Sequence, residues 1–319
     1  MTTALKNKQR IVFLGTPEFA AEILEDLYHK GMDIVRVVTA ADKPAGRGKQ
    51  LNQSAVKKKA LALNIPVLQP VNLKDEQFVS ELKSLGADFF VVVAFRMLPE
   101  VVWSIPRLGT FNLHASLLPQ YRGAAPIQWA LMNREKQTGV TTFLIDQQID
   151  TGAILEQIKV DIPQNCTGGL LHDLLLEAGK NLVAQTIDQY SQGLILPKQQ
   201  PDNASTEAPK LNKENTRLDW QWPGKQIDAW VRALNPYPIA WTELVQNDQV
   251  ITAKIYAGTY DSSPSNLVPG TVVVDKKTMK VALNDGWFFI DEIQLPGKKP
   301  MATAALLNGF SPSSDAYLR

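Results

Sequence analysis

The sequence predicts an α/β chain: an open, doubly wound, mostly parallel sheet, followed by a small β-barrel of OB-like form. Three features carry this reading. Continuous apolar runs alternate with stretches of helical spacing through the first 192 residues. A stretch rich in proline and poor in large apolar residues follows, from Pro197 to Pro209. Beyond it, one short amphipathic helix accompanies about five short strand-like runs.

Taken in order, Ile11 to Leu14 is an apolar run that ends at Gly15. Thr16 is placed to cap a helix and Pro17 to occupy its first turn. Phe19, Ile23, Leu24 and Leu27 then recur at helical spacing, and Gly31 stops the helix. Ile34 to Thr39 is a second strand, Val67-Leu68 a minor one, and Phe89 to Phe95 a fully apolar one. Thr110 to Leu113 and Val140 to Ile145 complete the set, since strands covered on both faces read as unbroken apolar runs. Thr167 to Gln192 is helical. The expected division is residues 1–192 as catalytic domain, 193–212 as linker and 213–319 as C-terminal domain. In the last part Ile227, Trp230, Val231 and Leu234 form one helical face. Strand-like runs lie near 240–246, 250–260, 270–274, 279–283 and 287–293, with Asn284-Asp285-Gly286 as a hairpin turn.

Composition removes several classes. Of 319 residues, 45% are apolar and 20% charged, which excludes disordered and fibrous chains. Lys and Arg total 33 against 32 Asp and Glu, so only local charge clusters can speak for nucleic acid. The single cysteine, Cys166, cannot form an internal disulfide or a thiolate-rich zinc site, and suits a reducing cytosol. No apolar run approaches the roughly 18 residues of a membrane-spanning helix. Met1 to Arg10 lacks the apolar stretch of a secretory signal, so a cytoplasmic location is expected.

The candidate chemistry centres on Phe111-Asn112-Leu113-His114. At the end of a strand, Asn112 and His114 share a face. A carboxamide there can donate to a developing oxyanion, and an imidazole can move a proton. The next strand leads through Asp146 to Asp150-Thr151-Gly152, from which Asp150 can hold the imidazole in one tautomer. Alone, this set reads equally as a satisfied strand-end histidine and a turn aspartate. From Lys43 to Lys74 there are seven cations (Lys43, Arg47, Lys49, Lys57, Lys58, Lys59, Lys74) and no acid. That pattern fits nucleic acid, or a solvated basic loop and helix face. Arg122 is equally a phosphate ligand and a brace. Of the seven tryptophans, five fall in the last third and read as core.

Longer strings change the balance. Phe13-Leu14-Gly15-Thr16-Pro17-Glu18-Phe19-Ala20, Asn112 to Pro119, Tyr121 to Gln128 and Asp150-Thr151-Gly152 together resemble the folate-dependent formyltransferases. Within them, the chain is most similar to the group acting on methionyl-tRNA, from about Arg10 to Phe310. The resemblance implies a Rossmann-like catalytic domain with Asn112, His114 and Asp150 as the catalytic set. It implies contact of Ser116, Leu117, Leu118 and Pro119 with tetrahydrofolate, and contact of a loop holding Lys43, Arg47 and Lys49 with tRNA. The C-terminal domain would also bind tRNA. The reaction implied is formyl transfer from 10-formyltetrahydrofolate to the α-amine of initiator methionyl-tRNA, in translation initiation, by a monomer without metal or membrane.

That chemistry suits the residues. A neutral amine attacks the formyl carbon, and negative charge grows on an oxygen that Asn112 and protonated His114 can stabilise. One stretch departs from the family pattern: Phe95-Arg96-Met97 stands where Tyr-Gly and further apolar residues are usual, so the pterin contacts of 94–98 are not carried over. The nearest rival is a formyltransferase for a small amine, an amino sugar or glycinamide ribonucleotide. A dinucleotide oxidoreductase fits poorly, because Gly15-Thr16-Pro17 is not G-x-G-x-x-G and Pro17 removes an amide.

Overall fold

The computed structural model describes residues 8–45, 50–201 and 204–319. Its elements run β1 (Arg10–Gly15), α1 (Glu18–His29), β2 (Asp33–Val38), β3 (Lys43–Ala45), β4 (Gln50–Asn52), α2 (Ala55–Ala62), β5 (Val67–Leu68), α3 (Glu76–Ser84) and β6 (Phe89–Val93). Then come α4 (Glu100–Trp103), β7 (Thr110–His114), β8 (Arg122–Gly123), α5 (Pro126–Met132), β9 (Gln137–Leu144), β10 (Ile154–Asp161), α6 (Gly168–Ser191) and β11 (Glu207–Ala208). The remainder holds α7 (Gly224–Ala233), β12 (Ala240–Gln246), β13 (Gln249–Asp261), β14 (Val272–Asp275), β15 (Thr278–Leu283), β16 (Gly286–Gln294), β17 (Met301–Ala302), α8 (Thr303–Leu306) and β18 (Tyr317–Leu318).

Two compact units result, each assembled from three stretches of chain. Met1–Gly123, Gln137–Asp161 and Asp173–Glu207 form the first; Ala124–Lys136, Ile162–His172 and Ala208–Arg319 form the second.

The first unit is built on a sheet of order β10-β9-β7-β6-β1-β2-β5. The strands from β5 to β7 are parallel, as the apolar runs predict. Ile11, Val12, Phe13 and Leu14 are fully buried, and so is all of β6. On one face Val12, Leu14, Phe90 and Val92 pack with Phe78, Val79 and Leu82 of α3. β9 and β10 run antiparallel. β9 is covered on both faces like the parallel strands, so its run reads as theirs do although its direction is reversed.

Helix α1 starts one position later than its sequence suggests. Pro17 occupies the N-cap and Thr16 makes no cap, while the Pro17 carbonyl accepts from the Ala20 and Ala21 amides. Gly15 is required here by space: a Cβ would lie 2.7 Å from that of Ala20. Helix α2 is capped by Ser54, whose hydroxyl accepts from the Lys57 amide. The Lys57–Lys59 run on α2 is not the solvated cationic face its composition suggested. Lys57 pairs with Asp42 at 2.5 Å, and Lys59 bonds Glu25 and lies 3.6 Å from Glu22. Lys58 alone of the three is exposed.

In the second unit the sheet follows β14-β15-β16-β13-β12-β18. A bridge from Thr271 to Tyr317 brings its two ends together, giving a nearly closed barrel. The expected strands and the hairpin at Asn284-Asp285 are present, with Leu283 opposite Gly286. Helix α7 buries Ile227, Trp230 and Val231. Trp230 meets Trp129 edge-on at 6.1 Å and Trp222 at 4.9 Å. Among the described residues no helix is long and apolar enough to cross a membrane, and no group of three or more His, Cys, Asp or Glu could hold a metal ion. Cys166 is buried, and burial pushes its thiol pKa up.

Candidate active site

Strand β7 alternates as its pattern requires. Phe111 and Leu113 fill the core, while Asn112 and His114 share the other side with their cross-strand neighbours Phe143 and Thr141. His114 is 6% exposed. Its Nε2 lies 2.8 Å from the Tyr121 carbonyl, which can only accept, so Nε2 carries a proton and donates. That leaves Nδ1 as the nitrogen open to chemistry. It faces Asp150 Oδ2 at 3.7 Å, too long for a hydrogen bond; a proton gained at Nδ1 would make the two an ion pair.

Asp150 reaches this place by an indirect route. Because β9 is antiparallel to β7, its last residue, Leu144, lies opposite Phe111 rather than His114. The 145–153 connection then returns Asp150 to the histidine. Asp150 adopts φ +57°, a left-handed conformation that Asp tolerates better than most residues. Gly152 has no room for a side chain, since a Cβ would sit 1.7 Å from the Leu144 carbonyl oxygen. The Asp150 carboxylate accepts from the Gly123 amide at 2.8 Å.

A residue not singled out from sequence holds this loop. Gln200 Nε2 donates to the carbonyls of Asp150 (2.9 Å) and Gly152 (2.8 Å). Its Oε1 accepts from Arg122 Nε (3.0 Å) and Nη2 (2.7 Å). Arg122 is thus a brace acting through Gln200. Thr206 accepts from the Tyr121 amide at 2.8 Å, steadying the carbonyl that holds His114. Both Gln200 and Thr206 lie in the proline-rich stretch, where no periodicity marks a buried position; Gln200 is nevertheless 8% exposed.

The turn after β7 is also built from within. Ser116 is fully buried and its hydroxyl donates to the Gln120 carbonyl. Leu118 is buried, its amide donating to Thr141 Oγ1 and its carbonyl accepting from Gln157. Leu117 and Pro119 are half-buried and remain the more open members of the turn. At the end of β6, Ala94 has φ +46° and Phe95 packs on the core. Arg96 donates to the Val71 carbonyl at 2.9 Å and to that of Pro70. Lys43 is exposed at the start of β3; Arg47 and Lys49 lie outside the described residues.

Among the described residues, one atom of the site lacks a partner: Asn112 Oδ1 is buried and accepts no hydrogen bond from them. A buried polar atom is costly unless paired, so the carboxamide suits a polar ligand. It can accept from an amine or, turned over, donate to a carbonyl oxygen. Beside an open imidazole nitrogen and a carboxylate, this arrangement can orient an amine, take its proton and oppose the charge that results.

Residues 9–187 match the family described as formyl transferase, and 210–311 match the formyl transferase C-terminal domain. A methionyl-tRNA formyltransferase of Flavobacterium johnsoniae is 48% identical over 97% of this chain and 98% of that protein. One from Bacteroides thetaiotaomicron is 48% identical over 98% of each. Among solved structures, HypX from Aquifex aeolicus in complex with tetrahydrofolic acid superposes with a TM-score of 0.64 at 16% identity, over 94% of this chain and 47% of that one, a likeness of fold. The chain therefore belongs to the formyl transferase family.

Proposed function

We propose that this chain transfers the formyl group of 10-formyltetrahydrofolate to the α-amino group of initiator methionyl-tRNA. Near-complete coverage at 48% identity supports the substrate pair. The observation that carries the chemistry is the unpartnered Asn112 carboxamide beside His114 and Asp150.

10-Formyltetrahydrofolate supplies an electrophilic formyl carbon. The protein's own groups do the rest. Asn112 orients the amine or the formyl oxygen. As the amine nitrogen bonds the formyl carbon, His114, held through Nε2, receives the amine proton at Nδ1 and returns it to the departing tetrahydrofolate nitrogen as the formyl C–N bond breaks. Asp150 lies 3.7 Å from that nitrogen and stabilises the imidazolium so formed. Ser116 shapes the turn, and Leu117 to Pro119 line the folate side. Lys43, Arg47 and Lys49 meet tRNA phosphates, with Arg47 nearest the acceptor end. Residues 1–192 carry catalysis, 193–212 connect and brace, and 213–319 bind tRNA. The enzyme works as a cytoplasmic monomer.

A formyl-transfer assay on initiator methionyl-tRNA, elongator methionyl-tRNA and small amines tests this. The expected order of kcat/KM is initiator, then elongator, then amines. An amino sugar or glycinamide ribonucleotide matching the initiator tRNA would overturn it.

A further inference from the structure

The hairpin formed by β3 and β4 enters at Ala40–Asp42 and leaves at Asn52–Ser54, and both ends are pinned. Asp42 Oδ2 accepts from Lys57 on α2 at 2.5 Å. Asp42 Oδ1 accepts from Gln69 Nε2 at 2.8 Å, and the same amide donates to the Ala40 carbonyl at 2.7 Å. Across the exit, the hydroxyls of Thr39 and Ser54 share a hydrogen bond of 2.7 Å. Gln69 is itself held, because the two residues after it, Pro70 and Val71, accept from Arg96. The Lys57 and Asp42 side chains are 15% and 19% exposed, so solvent screens the pair less than a surface ion pair. Catalysis at His114 uses none of these groups.

We propose that Asp42, Lys57 and Gln69 are positioning residues for the macromolecular substrate, fixing the base of the hairpin and hence where Lys43 is offered to tRNA. The proposal rests on the reading that the 43–49 stretch meets tRNA. A carboxylate gripped by an ammonium and an amide at once has a defined direction, which one ion pair would not give. Asp42 immediately precedes a short two-stranded ribbon with Lys43 opposite Asn52, so a small rotation at this base displaces both strands.

The test uses the full-length chain and steady-state formylation, varying tRNA at saturating folate and the reverse. Asp42→Asn, Lys57→Gln and Gln69→Leu should each raise the KM for tRNA about tenfold, the scale of one hydrogen bond to a charged group. The KM for folate should stay within about twofold, as expected for groups touching only one substrate's path. The exchange Asp42→Lys with Lys57→Asp should recover part of the loss. Equal rises in both KM values with a lower Tm would mark a mere folding brace and overturn the proposal; Gln69→Leu, which removes no charge, keeps this readable if the Asp42 variant folds poorly. Joint replacement of Lys43, Arg47 and Lys49 by Ala separates the two ideas. If it leaves the tRNA KM unchanged, the loop reading falls and the anchor with it. If it raises that KM while Asp42→Asn and Gln69→Leu do not, the loop reading stands and the anchor is wrong.

Discussion

His114 is held by a backbone carbonyl at Nε2 and opposed by a carboxylate at Nδ1. Asn112 stands beside it with a buried atom still to be paired. Groups so arranged act as a unit. Each of Asn112→Ala, His114→Ala and Asp150→Ala should therefore lower kcat about 100- to 1,000-fold with little change in KM, and a double variant should lose much less than the product. Single-turnover rates decide this, and a His114→Ala enzyme within about tenfold of wild type, less than one such donor is worth, would refute it. Strand alternation and the Asp150-Thr151-Gly152 string made these three residues legible from sequence. Gln200 was not legible, because it is buried by two backbone carbonyls and an arginine rather than by a periodic apolar face, and hydrogen-bond partners distant in the chain leave no local pattern.

Helices α1 and α2 illustrate what the next scale adds. The apolar spacing of α1 was readable, but the sign of the charge on α2 misled, because the acids that neutralise it lie on α1 and at Asp42, outside the local window. The Lys59 hydrogen bond holds the Glu25 carboxyl below its ordinary range, and Glu25 in turn raises Lys59 above its own. Both signs can be followed through. The depressed Glu25 gives stability that is present above the unfolded value near ~4.3 and is lost as pH falls through the folded one. The raised Lys59 gives stability that is complete below ~10.4 and is lost as pH rises through its folded value. Melting temperatures across pH should thus show the wild type gaining on Glu25→Gln between those limits and converging with it towards either extreme. A constant gap down to pH 2 would exclude the pair as its origin. The direction of β9 belongs to this scale too: the run from Val140 to Ile145 reads alike both ways.

Taken whole, the molecule is less simply divided than its proline-rich stretch suggests. A cut near residue 207 leaves Ala124–Lys136 and Ile162–His172 attached to the first unit's chain although they pack in the second. Trp129 donates to Pro209, the Gly169 amide to Asn235, and Arg232 to the Cys166 carbonyl. A fragment of residues 1–207 should consequently melt at least several degrees below the full chain and bind a hydrophobic dye, since half-buried Trp129 and buried Ala130 and Leu131 lose their cover. A fragment as stable as the whole would refute this. Composition revealed two parts, yet the membership of the two inserted stretches depends on contacts across most of the chain, which no window of sequence contains.

That interleaving also sets an order of events during synthesis. Ala124–Lys136 leaves the ribosome well before Ala208–Arg319, its packing partner, exists. At about 5–20 residues per second the wait lasts on the order of ten to forty seconds. Through that interval α5 carries Trp129, Ala130 and Leu131 without the surface they later meet, so the nascent chain exposes that face over one definable length. The catalytic sheet can close early, while the element just after its site must be kept from wrong partners until the barrel arrives.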